Sequence, residues 1–223
     1  AGILAAAANP SLLWVHGVDS LLAARFITGV ALAGIYPPAM KLVSTWFVHG
    51  RGLALGVVIG ALTLGSASPN LVRAVLQGLP WQDVVVVASA ATLLGAGVLM
   101  RVAHDGPFPF SKAVFSPRQV VAVLRNRPLV LANLGYFGHM WELYARGVWF
   151  LVFTLTTPAA LGFADGRSAS LVTFCVIAIG SFGAVLGGYL ADRIGRTATA
   201  AMMMAVSGLC AIVIGFVATG PAW

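Results

Sequence analysis

Apolar residues fill this chain in long runs, and short polar breaks separate them. An α-helix needs about 20 mainly apolar residues to cross a bilayer. Six stretches reach that length: 19–47, 51–77, 82–102, 128–155, 168–191 and 197–218. An apolar remnant at 1–8 precedes them, and Asn9-Pro10 should end it, because proline cannot continue a helix. Pro37-Pro38 should kink the first full span, which membrane helices tolerate where neighbours satisfy the freed carbonyls. Between 103 and 127 the pattern changes. Pro107, Pro109 and Pro117 interrupt it, basic residues gather, and 117–125 reads as a short amphipathic helix. The pattern predicts an all-α membrane protein, a multi-span helical bundle of about six complete spans plus the remnant. Its expected parts are an N-terminal bundle at 1–102, a linker at 103–127 and a second bundle at 128–223.

Composition agrees with the pattern. Hydrophobic residues make up 60% and charged residues 9%, where a soluble domain carries about a quarter charged; mean hydropathy is +0.96. The net charge of +7 does not point to nucleic acid, because the basic residues lie between apolar runs rather than in one stripe. They act as topology signals instead. Of the 13 basic residues, those at the 41–51, 101–127 and 193–196 positions fall on one side of the spans. Arg73 and Arg167 fall on the other, and Arg25 and Arg146 lie within spans. Basic loops stay inside, which places the 103–127 linker and the 192–196 loop in the cytoplasm of a cell whose inner, plasma membrane holds the chain. Cys175 and Cys210 fall inside apolar runs and read as packing residues. P-loop, H-E-x-x-H, C-x-x-C and G-x-S-x-G signatures are absent, so no enzyme chemistry, cofactor or metal is expected.

One turn stands out. Residues 188–197 read Gly-Tyr-Leu-Ala-Asp-Arg-Ile-Gly-Arg-Thr, a short charged loop between two apolar runs. Gly188 permits close approach of another helix. Arg193 and Arg196 hold the loop on the basic side. Asp192 follows the last turn of a helix, where the dipole disfavours an anion, so it should seek a partner elsewhere; a helix N-terminus would serve. Gly52, Gly56 and Gly60 recur every four residues and should form one small-residue face; Gly180, Gly183 and Gly187 should form another.

The 188–197 turn resembles the G-x-L-A-D-R-x-G-R-[RK] loop of the major facilitator superfamily, with Gly188, Leu190, Asp192, Arg193, Gly195 and Arg196 matching and Thr197 departing from the final basic residue. Arg25-Phe26-Ile27-Thr28-Gly29 is similar to the R-x-x-x-G stretch of helix four in that family, and Arg51-Gly52-x-Ala54-x-Gly56 to the start of helix five. The resemblance implies a twelve-helix transporter of which this chain would be a fragment, from the end of helix three to helix nine. It implies that Asp192 meets the span start at Arg51-Gly52, that the two glycine faces meet at a cytoplasmic gate, and that Arg25 handles protons or solute. The function implied is secondary transport of a small solute by alternating access, with protons as the coupling ion; three basic residues against one glutamate in the spans tilt the cargo toward an organic or inorganic anion. The partners are then that solute, the lipid bilayer and the proton. The alternative is a membrane sensor or assembly partner on the same scaffold.

Ionisable groups inside a span are costly and usually face a cavity or a partner. Tyr136, His139, Glu142 and Arg146, spaced three, three and four apart, form one continuous stripe on a helix. Glu142 and Arg146 could pair at i,i+4, and His139 lies one turn away. The stripe reads either as a solute and proton path, with Glu142 or His139 carrying the proton, or as a polar seam that fixes helix packing. Arg25, several residues into its span, needs an anion, carbonyls or water, unless it snorkels to the interface.

Overall fold

The computed structural model describes residues 1–76, 80–110, 117–156 and 165–219, with the side chains of 117–120 and 217–219 left aside. The far end of the 51–77 span, Lys112 in the linker, and Trp223 lie outside the described residues. Helix α1 (Gly2–Ala8) runs straight into a tighter 3-10 turn, Asn9–Trp14. The α-helix thus ends at Asn9-Pro10, as the sequence predicts, and the chain continues as the tighter turn.

The first full span is broken, not merely kinked. Helix α2 (Val18–Ala33) stops and α3 (Tyr36–Ser44) starts afresh, with Pro37 and Pro38 in its first turn. A proline ring collides with the carbonyl four residues back, which for this pair means Ala33 and Gly34. The break falls there, and the Ile35 amide bonds back to the Leu32 carbonyl at 2.9 Å.

Helix α4 (Arg51–Val75) runs unbroken through Pro69, and α5 (Trp81–Val102) follows. The start of the linker is tied down. The Gly106 amide donates to Thr45 Oγ1 at 2.8 Å, the Phe108 amide to the Thr45 carbonyl at 3.0 Å, and Trp46 Nε1 to the His104 carbonyl at 3.2 Å. Helix α6 (Pro117–Arg125) leads into α7 (Arg127–Thr156). The next span divides into α8 (Gly166–Ala178) and α9 (Gly180–Ile194) around Ile179. Gly180-Ser181 sits at the bend, and Gly/Ser pairs are a common cause of kinks. Helix α10 (Arg196–Thr219) completes the described chain.

Among the described residues, five helical segments are long and apolar enough to cross a membrane: Val18–Ser44, Arg51–Val75, Trp81–Val102, Gly166–Ile194 and Arg196–Phe216. Helix α7 has the length, at 30 residues, and its polar stripe sets it apart from those five. No strand occurs among the described residues. This is an integral, multi-pass membrane protein. Its interior is built from small residues such as Ala67, Ala74, Ala169, Ser170 and Thr173, while Trp141 (80% exposed) and Phe182 (77%) point outward. Lipid makes outward apolar groups harmless, and small residues let backbones approach closely. Helix α4 is the hub. It packs most extensively on α9, then on α8, and touches α3 at its start.

Candidate functional site

The first site is the crossing of α4 and α9. The Asp192 carboxylate accepts the Gly52 amide through Oδ1 and the Leu53 amide through Oδ2, each at 2.9 Å. Helix α4 has no side-chain cap of its own, and the first amides of a helix have no intrahelical acceptor. Asp192 therefore caps α4 from another helix, with its charge set against the positive end of the dipole. Gly50 (φ 70°) and Gly195 (φ 91°) turn the chain just outside the two helix ends; both angles suit glycine and strain other residues.

Glycines bring the two backbones together. A Cβ on Gly52 would stand 2.5 Å from the Gly188 carbonyl oxygen and 2.7 Å from Asp192 Oδ1; one on Gly56 would stand 2.6 Å from the Ala184 oxygen, and one on Gly60 3.0 Å from the Ser181 oxygen. The contact face of α9 therefore runs through Ser181, Ala184 and Gly188. The sequence-based face of Gly180, Gly183 and Gly187 is out of phase with it. Gly180 touches Thr63 of α4 only loosely, at 3.4 Å; Gly183 has nothing within 4 Å, and Gly187 turns toward Met203 of α10 at 3.8 Å. A run of glycines at spacing three and four is compatible with neighbouring faces of one helix, and the partner helix decides between them. Arg193 stacks over the Tyr189 ring at 4.6 Å. Arg51 stands over the Phe110 ring at 5.3 Å, so the linker also reaches this end of α4. Arg196 opens α10.

The second site is the α7 stripe. Glu142 accepts a hydrogen bond from Ser207 of α10, and its other oxygen lies 4.0 Å from His139 Nδ1. Arg146 makes no ion pair with Glu142 among the described residues. Side chains on a helix lean toward its N-terminus, so the carboxylate leans to His139, one turn back. Glu142 is thus held between His139 on its own helix and Ser207 on α10, and neither Tyr136 nor Arg146 joins them by a hydrogen bond or ion pair among the described residues.

Arg25 belongs to a third place. Its guanidinium donates to Asn9 Oδ1 at 3.5 Å, while Asn9 Nδ2 donates to Ser89 Oγ at 3.0 Å and to the Val85 carbonyl at 3.4 Å. Arg25 also lines a cavity of 850 Å³ together with Asn70, Arg73, Trp81, Asp165 and Arg167. The cavity sits at the far end of α4 from the Asp192 cap. Gly52 and Arg73 are 21 positions apart on one helix, so about 30 Å separates them at 1.5 Å per residue. Asp165 caps α8 by accepting the Ser168 amide at 2.9 Å. Hydrogen bonding from Ser168 holds the Asp165 carboxyl below its ordinary 3.8, and the Arg167 charge adds to the effect. Sequence reasoning singled out Arg25, read Arg73 as snorkelling from near a helix end, and gave Arg167 no role beyond topology. The available signal was that both fall on the side otherwise poor in basic residues.

The comparisons with known proteins agree with this architecture. The family model described as Major Facilitator Superfamily matches residues 1–223. An MFS-type transporter of Aspergillus terreus is 27% identical over 180 residues, 79% of this chain and 58% of the relative. The agnestins efflux protein of Paecilomyces divaricatus is 28% identical over 197 residues, 85% of this chain and 42% of the relative. The probable sulfoacetate transporter of Cupriavidus necator is 25% identical over 190 residues, 78% of this chain and 44% of the relative. No solved structure matches the chain. The chain spans about half the length of these curated relatives. With apolar spans, the 188–197 turn and a family match that covers every residue, the chain belongs to the Major Facilitator Superfamily.

Proposed function

We propose that this chain is part of a secondary transporter that moves a small solute by alternating access, with 1–102 and 128–223 contributing to opposite bundles. The observation that carries this reading is the two-ended state of α4. One end is sealed against α9 through Asp192, Gly52 and Gly188, and the other opens on a cavity of 850 Å³. A helix closed at one end and open at the other suits a protein whose bundles rock about a site between them. Asp192, Arg193, Gly195 and Arg196 then serve the gate, at the cytoplasmic end by the distribution of basic residues.

In this reading the coupling ion is the proton and its carrier is Glu142. Glu142 lies between a hydroxyl on α10 that donates to it and the His139 ring, and the imidazole is a group that can exchange a proton with it. The cargo is an anion, because arginine charge exceeds carboxylate charge around the cavity. The relative named a sulfoacetate transporter suggests the first solute to try. The test is uptake of labelled sulfoacetate by the intact protein in proteoliposomes under an imposed pH gradient. Saturable uptake that Glu142→Gln uncouples from the gradient is the expected result. Uptake equally gradient-driven in that variant would remove Glu142 from the mechanism. Absence of saturable uptake across a panel of anions would favour a non-transporting sensor or assembly partner.

A further inference from the structure

The cavity at the end of α4 gathers charge from helices that lie far apart in sequence. Arg25 comes from α2, Arg73 from α4 and Arg167 from α8. Asp165 is the acidic residue among those that line it. Three guanidinium charges against one carboxylate leave the wall at net +2. None of the three arginines is within 4.0 Å of a carboxylate among the described residues. The three arginines are exposed at the mouth of the cavity, and like charges brought together repel, so a counter-ion beside them is favoured.

Of the three arginines, Arg25 is held. Asn9 engages Arg25, and Ser89 and the Val85 carbonyl orient Asn9 in turn. Asn70, half-buried one turn before Arg73, brings a neutral amide to the same wall, while Trp81 and Leu151 supply apolar surface. The volume, 850 Å³, falls within the range of small-molecule sites. Guanidinium groups recognise carboxylate, sulfonate and phosphate oxygens with two parallel hydrogen bonds each.

We infer that Arg25, Arg73 and Arg167 form a capture site for a small soluble dianion, separate from the Glu142 stripe and at the opposite end of α4 from Asp192. A dianion would neutralise the +2 wall; a monoanion would leave it half compensated. Asp165 tunes the site from within: its charge weakens anion binding and keeps it reversible. The inference rests on the transporter reading for its purpose, as the place where an anionic solute is first held, but binding itself needs no transport.

The experiment is equilibrium binding of radiolabelled sulfate and succinate to the intact protein in neutral detergent, at constant ionic strength, with labelled acetate as the monoanion and labelled choline as the cation. Sulfate or succinate should bind saturably, and each should outcompete acetate. Arg73→Gln and Arg167→Gln should each weaken dianion binding about tenfold, the effect of one charge-assisted contact. Arg73→Lys should recover part of the loss, and Asp165→Asn, which keeps the helix cap, should tighten binding several-fold. Gel filtration of each variant separates lost binding from lost folding. Wild-type protein that binds no dianion would overturn the inference. So would loss of sulfate binding in the presence of phosphatidylglycerol, which would assign the arginines to lipid headgroups. Saturable uptake of a neutral solute without dianion binding would sink this site and leave the transporter reading standing. Dianion binding without uptake of any solute would do the reverse.

Discussion

The Asp192 carboxylate lies 2.9 Å from the Gly52 amide nitrogen, across 140 residues of chain. The second carboxylate oxygen takes the next amide, that of Leu53. Asp192→Ala removes both bonds and leaves the first turn of α4 uncapped. Charge-assisted hydrogen bonds contribute about 1.5–3 kcal/mol when sheltered, and solvent at this exposed position reduces that. The closed pairing of α4 and α9 should fall about tenfold relative to the separated state, a shift of roughly 1.4 kcal/mol. Spin-label distances between the two helix ends in the intact protein would read it. Asp192→Asn keeps one acceptor and should fall between. An unchanged distance distribution in the alanine variant would mean that the cap is incidental to closure.

Two glycine substitutions should act in opposite directions. A methyl on Gly56 would stand 2.6 Å from a backbone oxygen of α9, which cannot rotate away. Gly56→Ala should force the helices apart and lower stability by about 1–3 kcal/mol, as overpacking does. Gly183 has open space where its Cβ would be. Gly183→Ala should be tolerated or stabilise by up to about 1 kcal/mol through helix propensity. Melting in detergent would compare them; equal effects would refute the assigned contact face.

Asp165 gives a pH signature. Its carboxyl is held below 3.8 by Ser168, so the cap favours the folded state when ionised. That stabilisation is present above the unfolded value and is lost as pH falls through the lower folded one. The melting difference between wild type and Asp165→Ala should hold steady from about pH 7 to 5 and shrink only at more acidic pH. A difference that shrinks near neutrality would point to another group.

The apolar spans, and the need of Asp192 for a partner, were legible in the residues themselves; the identity of that partner, the start of α4, came from the family resemblance. Hydropathy runs report lipid contact residue by residue, and Pro37-Pro38 marks the break between α2 and α3, although Pro69 sits inside an unbroken α4. Asp192 announces itself as an anion at the wrong end of a helix, and such a group needs a positive end elsewhere. The phase of α9 was not legible, because Gly180, Gly183, Gly187 and Gly188 offer two neighbouring small faces, and only the position of α4 chooses Gly188. The arginine cavity was hidden for a similar reason. Arg73 and Arg167 each read as an ordinary charge near a span end, and their meeting depends on α4 and α8 packing side by side. On α7, spacing marked the stripe, but the direction in which Glu142 leans depends on Ser207, a residue with no signal in its own surroundings.

The seam between α4 and α9 is made of glycine Cα atoms and carbonyl oxygens where Gly52, Gly56 and Gly188 meet. Ordering a leucine or methionine side chain on burial costs about 0.5–2 kcal/mol of rotamer entropy, and glycine has none to lose. This seam can therefore close and part with little side-chain ordering, which leaves the Asp192 bonds as the main term in its balance. Such a junction responds to modest forces at its Asp192 end, where glycine backbones rather than side chains meet.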